Sequence, residues 1–377
     1  MSKDVKLRNL FLHDYSPTEP YLPYKDTNDR RGQVPHWGHA KLFLEEVLFL
    51  TLFVSKHPSV KWVLYIGSAP FYHGHILSQM FPHLQFVLYD PRSFVIPQAF
   101  RHRFEIHQQY FTDVDAKEWA SRGAQTAVIS DIRSIKVEKN ATDEEKRAHF
   151  EQAVRRDMAL QMGWVKIINP ASASLKFRMP FPELNPATGK HDIDEMFEYL
   201  DGYIMLQPFR GSSSTETRLI PVKSNGEYVM KRYSSVHYQD QNHYHNLRVR
   251  PSLFHNPFTG DFSNILDKEL INDFDSVFAA IILAGYLEMC TGKKPSQDDV
   301  NALYKVFLNG SNEVFKDPIT LERVRASTFK STVMKGPMQG KQLRDVLAPV
   351  VHTYRPYTRI SADNASLVAP TPIPILV

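Results

Sequence analysis

The sequence predicts a doubly wound α/β fold, in which a mostly parallel sheet carries helices on both faces. Apolar runs rich in β-branched and aromatic residues recur along the chain, beginning with Trp62–Ile66 and Gln85–Tyr89. Helical patterns separate these runs, and the runs end in Gly67, Asp90 or Asp131. Because the carboxyl ends of parallel strands meet at one edge of a sheet, these residues indicate a crevice there for a nucleoside ligand.

Length and composition place the chain among globular proteins. With 377 residues and 42% hydrophobic content it can bury a large core, in one enlarged domain or two. The net charge of +4 is too small to require a polyanionic partner. The single cysteine, Cys290, excludes an internal disulfide, fits a reducing compartment and is predicted to be a core thiol. Neither a signal core nor a membrane span is predicted, so we expect a soluble, intracellular protein.

Residues 1–35 are predicted to form a polar, proline-punctuated arm that precedes a main domain at residues 36–310. A helix is predicted over residues 37–55 because of their high apolar content. Lys41 lies in the first turn of this helix, where the positive end of the helix dipole disfavours a cation. The stretch alone leaves two interpretations open, a solvated surface lysine or a lysine directed into a site.

The later segments continue the alternation of strands and helices. Thr142 and the three acids after it predict the start of a long helix that ends at Gly163. The apolar run 164–168 is predicted to be the fifth strand, followed by extended chain over 171–178. The other predicted elements are strands within 103–111, 126–131, 202–207 and 216–220, and helices over 275–290 and 298–308, the last closed by Gly310. Residues 311–377 are predicted to be an extension with a mobile, proline-rich tail.

Residues 223–250 mix basic side chains with tyrosines, including Lys231, Arg232, Tyr233 and Tyr238. Cations that meet phosphates and rings that meet bases would suit a single-stranded nucleic acid. A solvated, loosely structured face explains the same composition, and both interpretations stay open. The three histidines of this stretch have no cysteine or acid at ligand spacing, so no metal site is predicted.

Six blocks of the chain, in order, resemble the poxvirus family of cap-specific mRNA nucleoside 2′-O-methyltransferases. The resemblance spans residues 38–220, with weaker similarity around the helix predicted at 275–290. The blocks are residues 38–42 (Gly-His-Ala-Lys-Leu), 65–70 (Tyr-Ile-Gly-Ser-Ala-Pro), 129–134 (Ile-Ser-Asp-Ile-Arg-Ser), 168–177 from Ile-Asn-Pro to Leu-Lys-Phe, 180–182 (Pro-Phe-Pro), and 205–209 (Met-Leu-Gln-Pro-Phe) with 216–219 (Glu-Thr-Arg-Leu). The resemblance implies a Rossmann-like methyltransferase fold with S-adenosylmethionine as methyl donor.

The resemblance also implies a catalytic tetrad of Lys41, Asp131, Lys176 and Glu216. A ribose 2′-hydroxyl is a poor nucleophile, so its proton must pass to a positioned base. Lys176 is the base that the resemblance implies, and it must then be unprotonated near pH 7. Lys41 and the sulfonium charge of the donor disfavour a second ammonium there, whereas the two carboxylates favour it.

The same resemblance implies the donor contacts. Tyr65, Gly67 and Ser68 would lie beside the methionine portion, and Asp131 belongs to the same edge. Asp90 would bind the ribose with Arg92 adjacent, and Thr112 is a candidate for the adenine side. The chain departs from the family after Pro70, where residues 71–75 are two residues longer. Bulk at Phe71 would either narrow the donor pocket or reshape the loop.

For the cap guanine, the resemblance implies Phe181 as one stacking ring and Glu183 as one acid, with Arg178 as a further RNA contact. The second ring does not transfer, and Tyr21, Tyr24, Tyr233 and Tyr238 are candidates to replace it. The implied partners are capped mRNA and a poly(A) polymerase catalytic subunit, in the host cytoplasm or virion, with no membrane. A contrasting interpretation is a non-catalytic RNA-binding processivity subunit of that polymerase. Methylation of a small molecule or protein is disfavoured by the basic and aromatic stretch.

Overall fold

A computed structural model of the chain describes residues 11–12, 22–24, 35–134, 141–188, 190–211, 213–249, 265–267, 270 and 274–314. The chain divides into two compact units. The sheet unit comprises Phe53–Leu206 and Thr215–Gln239, and the helical unit comprises Met1–Leu52, Gln207–Ser214 and Asp240–Val377. The predicted arm and carboxyl-terminal extension fall mostly outside the described residues and stay predictions.

The sheet unit is built on seven strands, which are β2 (Trp62–Ile66), β3 (Gln85–Tyr89), β4 (Phe104–His107), β5 (Thr126–Ser130), β6 (Ser172–Phe177), β10 (Gly202–Met205) and β11 (Thr217–Pro221). Their order in the sheet is β10-β11-β6-β5-β2-β3-β4, which confirms the predicted mostly parallel sheet. Only β10–β11 and β11–β6 pair antiparallel among these seven. The helices of this unit are α2 (Gly74–Met80), α3 (Asp113–Ala120) and α4 (Asp143–Ile168).

Short strands complete the sheet unit, and one helix runs from it into the helical unit. The strands are β7 (Glu183–Asn185) paired with β8 (Lys190–Ile193), β9 (Met196–Leu200) paired with β14 (Met230–Ser234), and β12 (Lys223–Ser224) paired with β13 (Glu227–Tyr228). The helix α5 (Ser235–Tyr244) follows β14 directly. The stretch predicted to be either an RNA-binding or a loosely structured face is thus regular structure in large part.

One predicted strand is wrong, because residues 164–168 belong to α4. A continuous apolar run suits a buried helix as well as a buried strand, and periodicity cannot distinguish them. Gly163 does not end the helix, and a Cβ added there would meet no atom within 4 Å. Asn169 caps α4 in the left-handed conformation at φ 48°, and the chain then enters β6, which the sequence had predicted only as extended chain.

The topology places a crevice between β2 and β5. From β2 the chain adds β3 and β4 on one side, and it then returns to add β5 and β6 on the other side of β2. The strand order therefore reverses between β2 and β5, at whose carboxyl ends ligands bind in open α/β sheets. Gly67 and Asp131 are the residues that directly follow these two strands.

The helical unit contains β1 (Phe11–Leu12), α1 (Pro35–Leu52), α6 (Phe274–Thr291) and α7 (Gln297–Val314). α6 contacts both α1 and α7, and the rings of Phe43 and Phe307 stack with centroids 5.8 Å apart. The predicted core position of Cys290 is wrong, since its side chain is exposed near the end of α6. Gly310 does not close α7, which continues to Val314. Across the described parts of both units, no helix is long and apolar enough to cross a membrane.

Candidate active site

Three of the four residues expected to form the tetrad meet at the carboxyl edge of the sheet. Asp131 follows β5, Lys176 lies in β6, and Glu216 directly precedes β11. The Lys176 Nζ donates a hydrogen bond of 3.1 Å to Asp131 Oδ1 and lies 3.5 Å from Glu216 Oε2. The Lys176 side chain is only 12% exposed, so the amine sits between two carboxylates with little water around it.

Two arginines share these carboxylates. Arg218 lies opposite Lys176 in the β11–β6 register, and its Nη2 donates to Asp131 Oδ1 at 2.5 Å. The Nη2 of Arg133 lies 3.6 Å from Glu216 Oε2. Each carboxylate therefore has a guanidinium near it in addition to the lysine. Within this cluster the two carboxylates therefore face two permanent positive charges besides the lysine.

The charge state of Asp131 follows from its surroundings. Burial alone favours the neutral acid, but Lys176 and Arg218 outweigh it and hold the pKa of Asp131 below its ordinary value. The carboxylate is therefore ionised at neutral pH. This fixes an acceptor for the Lys176 amine at the edge of the crevice.

Lys41, the fourth expected member, belongs to the helical unit. It lies in the second turn of α1 with a partly buried side chain. Its assignment to the catalytic group stays a prediction.

The loop after β2 approaches the loop after β5 closely. Gly67 has φ +80°, and a Cβ added there would lie 3.0 Å from backbone atoms of Asp131 and Ile132. The Ile66 carbonyl accepts from the Asp131 amide at 2.9 Å, which ties the two loops together. Of the other residues expected beside the methionine portion, Tyr65 and Ser68 are both buried. Only a glycine fits this crossing, which forms the floor of the crevice.

Asp90 is buried and holds the first loop in place. Its Oδ2 accepts from the Ala69 amide at 3.1 Å and from Arg92 Nη2 at 2.8 Å. Its Oδ1 accepts from the Arg92 amide and Nε, both at 2.9 Å. Arg92 also donates to the Ala69 carbonyl at 2.7 Å. The acceptor positions of Asp90 are thus engaged within the chain, so a ribose hydroxyl would have to share them.

The extra bulk of the loop after Pro70 is directed into the core. Phe71 is 2% exposed, and its ring packs edge-on against Tyr65, at 5.4 Å, and Phe104, at 5.8 Å. The Phe71 ring therefore lies in the core, and the effect of the longer loop on the donor pocket stays a prediction. The Thr112 side chain caps α3 by accepting from the Asp115 amide, and its hydroxyl donates to Asp115 Oδ2 at 2.6 Å. Its hydroxyl is therefore engaged in the cap.

The expected cap residues fall into an accessible group and a buried group. Phe181 is partly exposed, and Glu183 is exposed. Arg178 is buried, donates to Glu151 Oε1 at 2.5 Å and lies 4.3 Å from the centroid of the Phe181 ring. Its place beneath the ring corrects the expectation that Arg178 contacts RNA directly. Glu151 also accepts a hydrogen bond of 2.9 Å from the Phe181 amide, which fixes the main chain that carries the Phe181 ring.

The expectation that Tyr233 and Tyr238 stack on RNA does not fit their positions. Both are 0% exposed, and both rings pack edge-on against Phe177. The Tyr233 hydroxyl donates to the Leu200 carbonyl, and Tyr238 donates to the Thr215 carbonyl. Alternation along β14 directs Tyr233 inward. Of the other candidate rings, Tyr21 lies outside the described residues, and Tyr24 belongs to the helical unit.

Arg218 and Arg133 are site residues that were not predicted from the sequence. Arg218 is 2% exposed in an otherwise uncharged strand, and such a buried charge usually has a partner or a function. Arg133 follows Asp131 by two residues. It lies in the block 129–134 that resembles the poxvirus family, but no catalytic or binding role was predicted for it. Both could have been found by asking which cations the buried carboxylates need.

Comparisons with known proteins identify relatives. A family model described as poly A polymerase regulatory subunit matches residues 8–278, more than half of the chain. The cap-specific mRNA (nucleoside-2′-O-)-methyltransferase of Myxoma virus (strain Lausanne) is 27% identical over 259 residues, covering 64% of this chain and 68% of the relative. The protein of the same name from Fowlpox virus (strain NVSL) is 28% identical over 259 residues, covering 65% and 77%. The chain therefore belongs to the poly A polymerase regulatory subunit family.

Proposed function

We propose that the chain transfers a methyl group from S-adenosylmethionine to the ribose 2′-hydroxyl of the first transcribed nucleotide of capped mRNA. The observation that carries the proposal is the placement of Lys176 between Asp131 and Glu216, each of which also has an arginine near it. The names of the viral relatives support this substrate and reaction. Lys41 is the proposed fourth member of the catalytic group.

Lys176 acts as the general base in this proposal. S-adenosylmethionine held at the crevice between β2 and β5 would supply an electrophilic methyl group to the 2′-oxygen and would leave as a neutral thioether that keeps the electron pair of the broken carbon–sulfur bond. The hydroxyl proton passes to the Lys176 amine, where Asp131 and Glu216 accept hydrogen bonds from the resulting ammonium. The two carboxylates thus stabilise the charge that develops on the base, while Arg218 and Arg133 balance them beforehand.

The crevice between β2 and β5 is the proposed donor site. Gly67 lets the loops that follow β2 and β5 pass close to each other, and the ionised Asp131 favours a nearby cationic sulfur. These features fit S-adenosylmethionine. Tyr65 and Ser68 would lie beside the methionine portion of the donor, and Asp90 and Arg92 would lie beside its ribose. Thr112 would affect the adenine side indirectly, because it caps α3 and so fixes where that helix begins.

Replacing Asp90 by alanine is expected to weaken donor binding by about 1.5–3 kcal/mol, the range for a hydrogen bond to a charged group. The loss follows whether Asp90 contacts the ribose or holds the Ala69 loop through Arg92. Isothermal titration with the demethylated donor measures it. The exposed Glu105 provides the control, since Glu105→Ala should leave the affinity unchanged. An unchanged affinity in Asp90→Ala would place the adenosine elsewhere.

Phe181 is the proposed stacking ring for the positively charged methylated guanine, with Glu183 as the acceptor for its edge. Arg178 supports the ring from one side, and Arg147 also lies near it, at 5.6 Å from the centroid. A cation near this ring shows that its surroundings tolerate positive charge.

Phe181→Ala is expected to remove roughly 1–3 kcal/mol of stacking energy on methylated-cap analogues and much less on unmethylated ones. The ratio of the two affinities in wild type and variant is the measurement. Phe150, whose ring lies 4.6 Å from Arg178, provides a matched control, because Phe150→Ala should leave that ratio unchanged. A wild-type ratio that survives in Phe181→Ala would mean that the cap binds elsewhere. The alternative role of Phe181, anchoring its loop, would lower thermal stability and impair all RNAs alike.

The proposed substrate is tested by comparing methyl transfer from labelled S-adenosylmethionine to short capped and uncapped RNAs of one sequence. We expect transfer to the capped RNA at a clearly higher rate. Equal rates would remove the cap from the proposal, and transfer to neither would refute it. A poly(A) polymerase catalytic subunit is a proposed partner on the strength of the family description, and the proposed place of reaction is the host cytoplasm.

A further inference from the structure

The side chain of Gln161 binds the backbone of Lys176 through both of its polar groups. Its Nε2 donates to the Lys176 carbonyl at 3.2 Å, and the Lys176 amide donates to Gln161 Oε1 at 3.1 Å. Gln161 lies on α4 and is 1% exposed. A side-chain amide that both donates to and accepts from one residue reproduces the exchange of two hydrogen bonds in an antiparallel ladder.

The position of this contact explains why it is needed. β6 lies between β11 and β5, and β5 ends at Ser130, whose register partner is Leu175. At Lys176 the sheet therefore has no strand on the β5 side, because the chain turns away to present Asp131. Buried backbone N–H and C=O groups require partners, and Gln161 supplies them where the strand stops.

We infer that Gln161 is a positioning residue for the catalytic lysine, an inference that rests on the proposed function. It substitutes for the missing strand and fixes the main chain from which the Lys176 side chain extends toward Asp131. The helix α4 also contacts the segment that follows Asp131. Asp157, one turn earlier on α4, accepts from the Ser134 amide at 2.6 Å and so fixes the segment that follows Asp131.

Gln161→Met, which keeps the length of the side chain and removes the amide, tests the inference. A displacement of about 1 Å at a reacting group can cost on the order of 10²-fold in rate, so we expect kcat to fall about 10- to 100-fold. Donor affinity and the KM for RNA should stay within about twofold, since Gln161 contacts neither.

Two control variants on α4 separate positioning from general loosening. Gln152→Met makes the same replacement at an exposed position, and Val154→Ala removes buried packing without touching Lys176. Both should retain kcat within about twofold. A fall in Val154→Ala as large as that in Gln161→Met would overturn the inference, as would an unchanged kcat in a folded Gln161→Met.

Hydrogen exchange provides a readout that does not depend on activity. Exchange of the segment 172–177 should be faster in Gln161→Met than in wild type and unchanged in Gln152→Met. If the wild-type protein methylates no RNA, the proposed function fails, while this measurement still decides whether Gln161 holds the Lys176 backbone. Unchanged exchange in Gln161→Met would show that it does not.

Discussion

Lys176→Ala is expected to lower kcat for methyl transfer on the order of 10²- to 10⁴-fold, the usual contribution of a positioned general base. The fold and the donor affinity should stay nearly intact. Removal of the amine leaves Arg218 with Asp131 and Arg133 near Glu216, so neither carboxylate becomes an isolated buried charge. Single-turnover rates on capped RNA, thermal midpoints and donor titration measure the three quantities.

Lys176→Arg distinguishes a base from a mere positive charge. A guanidinium cannot accept the proton near pH 7, so this variant should be as inactive as Lys176→Ala. The exposed Lys166 of α4 provides a control, and Lys166→Ala should behave as wild type. Appreciable activity in Lys176→Arg would contradict the assignment of Lys176 as the base.

Arg218→Met is expected to lower both stability and activity. Removing one partner of a buried ion pair costs about 3–5 kcal/mol, and the lower end applies here because Lys176 still contacts Asp131. Without Arg218, Asp131 loses the guanidinium that binds its Oδ1, so the acceptor for the Lys176 amine is held less firmly. Activity should therefore fall together with stability.

Urea unfolding and kcat on capped RNA measure these two effects. Arg218→Lys keeps the charge but not the two-pronged geometry, so we expect an intermediate result. Arg232→Met, at an exposed position on β14, should change neither quantity. An Arg218→Met variant with the wild-type kcat would show that Arg218 does not support the Lys176–Asp131 pair.

The parallel part of the sheet could be predicted because its strands carry a strong local signal. Trp62–Ile66 is apolar throughout and Thr126–Ser130 has an apolar centre, as strands buried on both faces do. The signal failed at residues 164–168, where the same apolar character extends the buried face of α4. Whether residues 164–168 form a strand or a helix depends on the elements that pack against them, and those elements cannot be identified from the run itself.

Site residues that lie next to a recognisable strand could be predicted, and site residues that depend on contacts between distant parts of the chain could not. Gly67 and Asp131 follow recognisable strands, so the edge they share could be inferred. Tyr233 and Tyr238 were misread because a tyrosine among basic residues looks the same whether it faces RNA or the core. Arg218 and Gln161 act only through the register of β6 with its neighbours, and that register involves residues far apart in the chain.

The location of the transferred methyl group tests the central claim most directly. Labelled S-adenosylmethionine is incubated with the protein and capped RNA, and the product is digested to nucleosides. The account predicts that the label appears as the 2′-O-methyl group of the first nucleotide, and that an RNA with a 2′-deoxy first nucleotide acquires none. Label on a base, on an internal ribose, or on the 2′-deoxy substrate would contradict it.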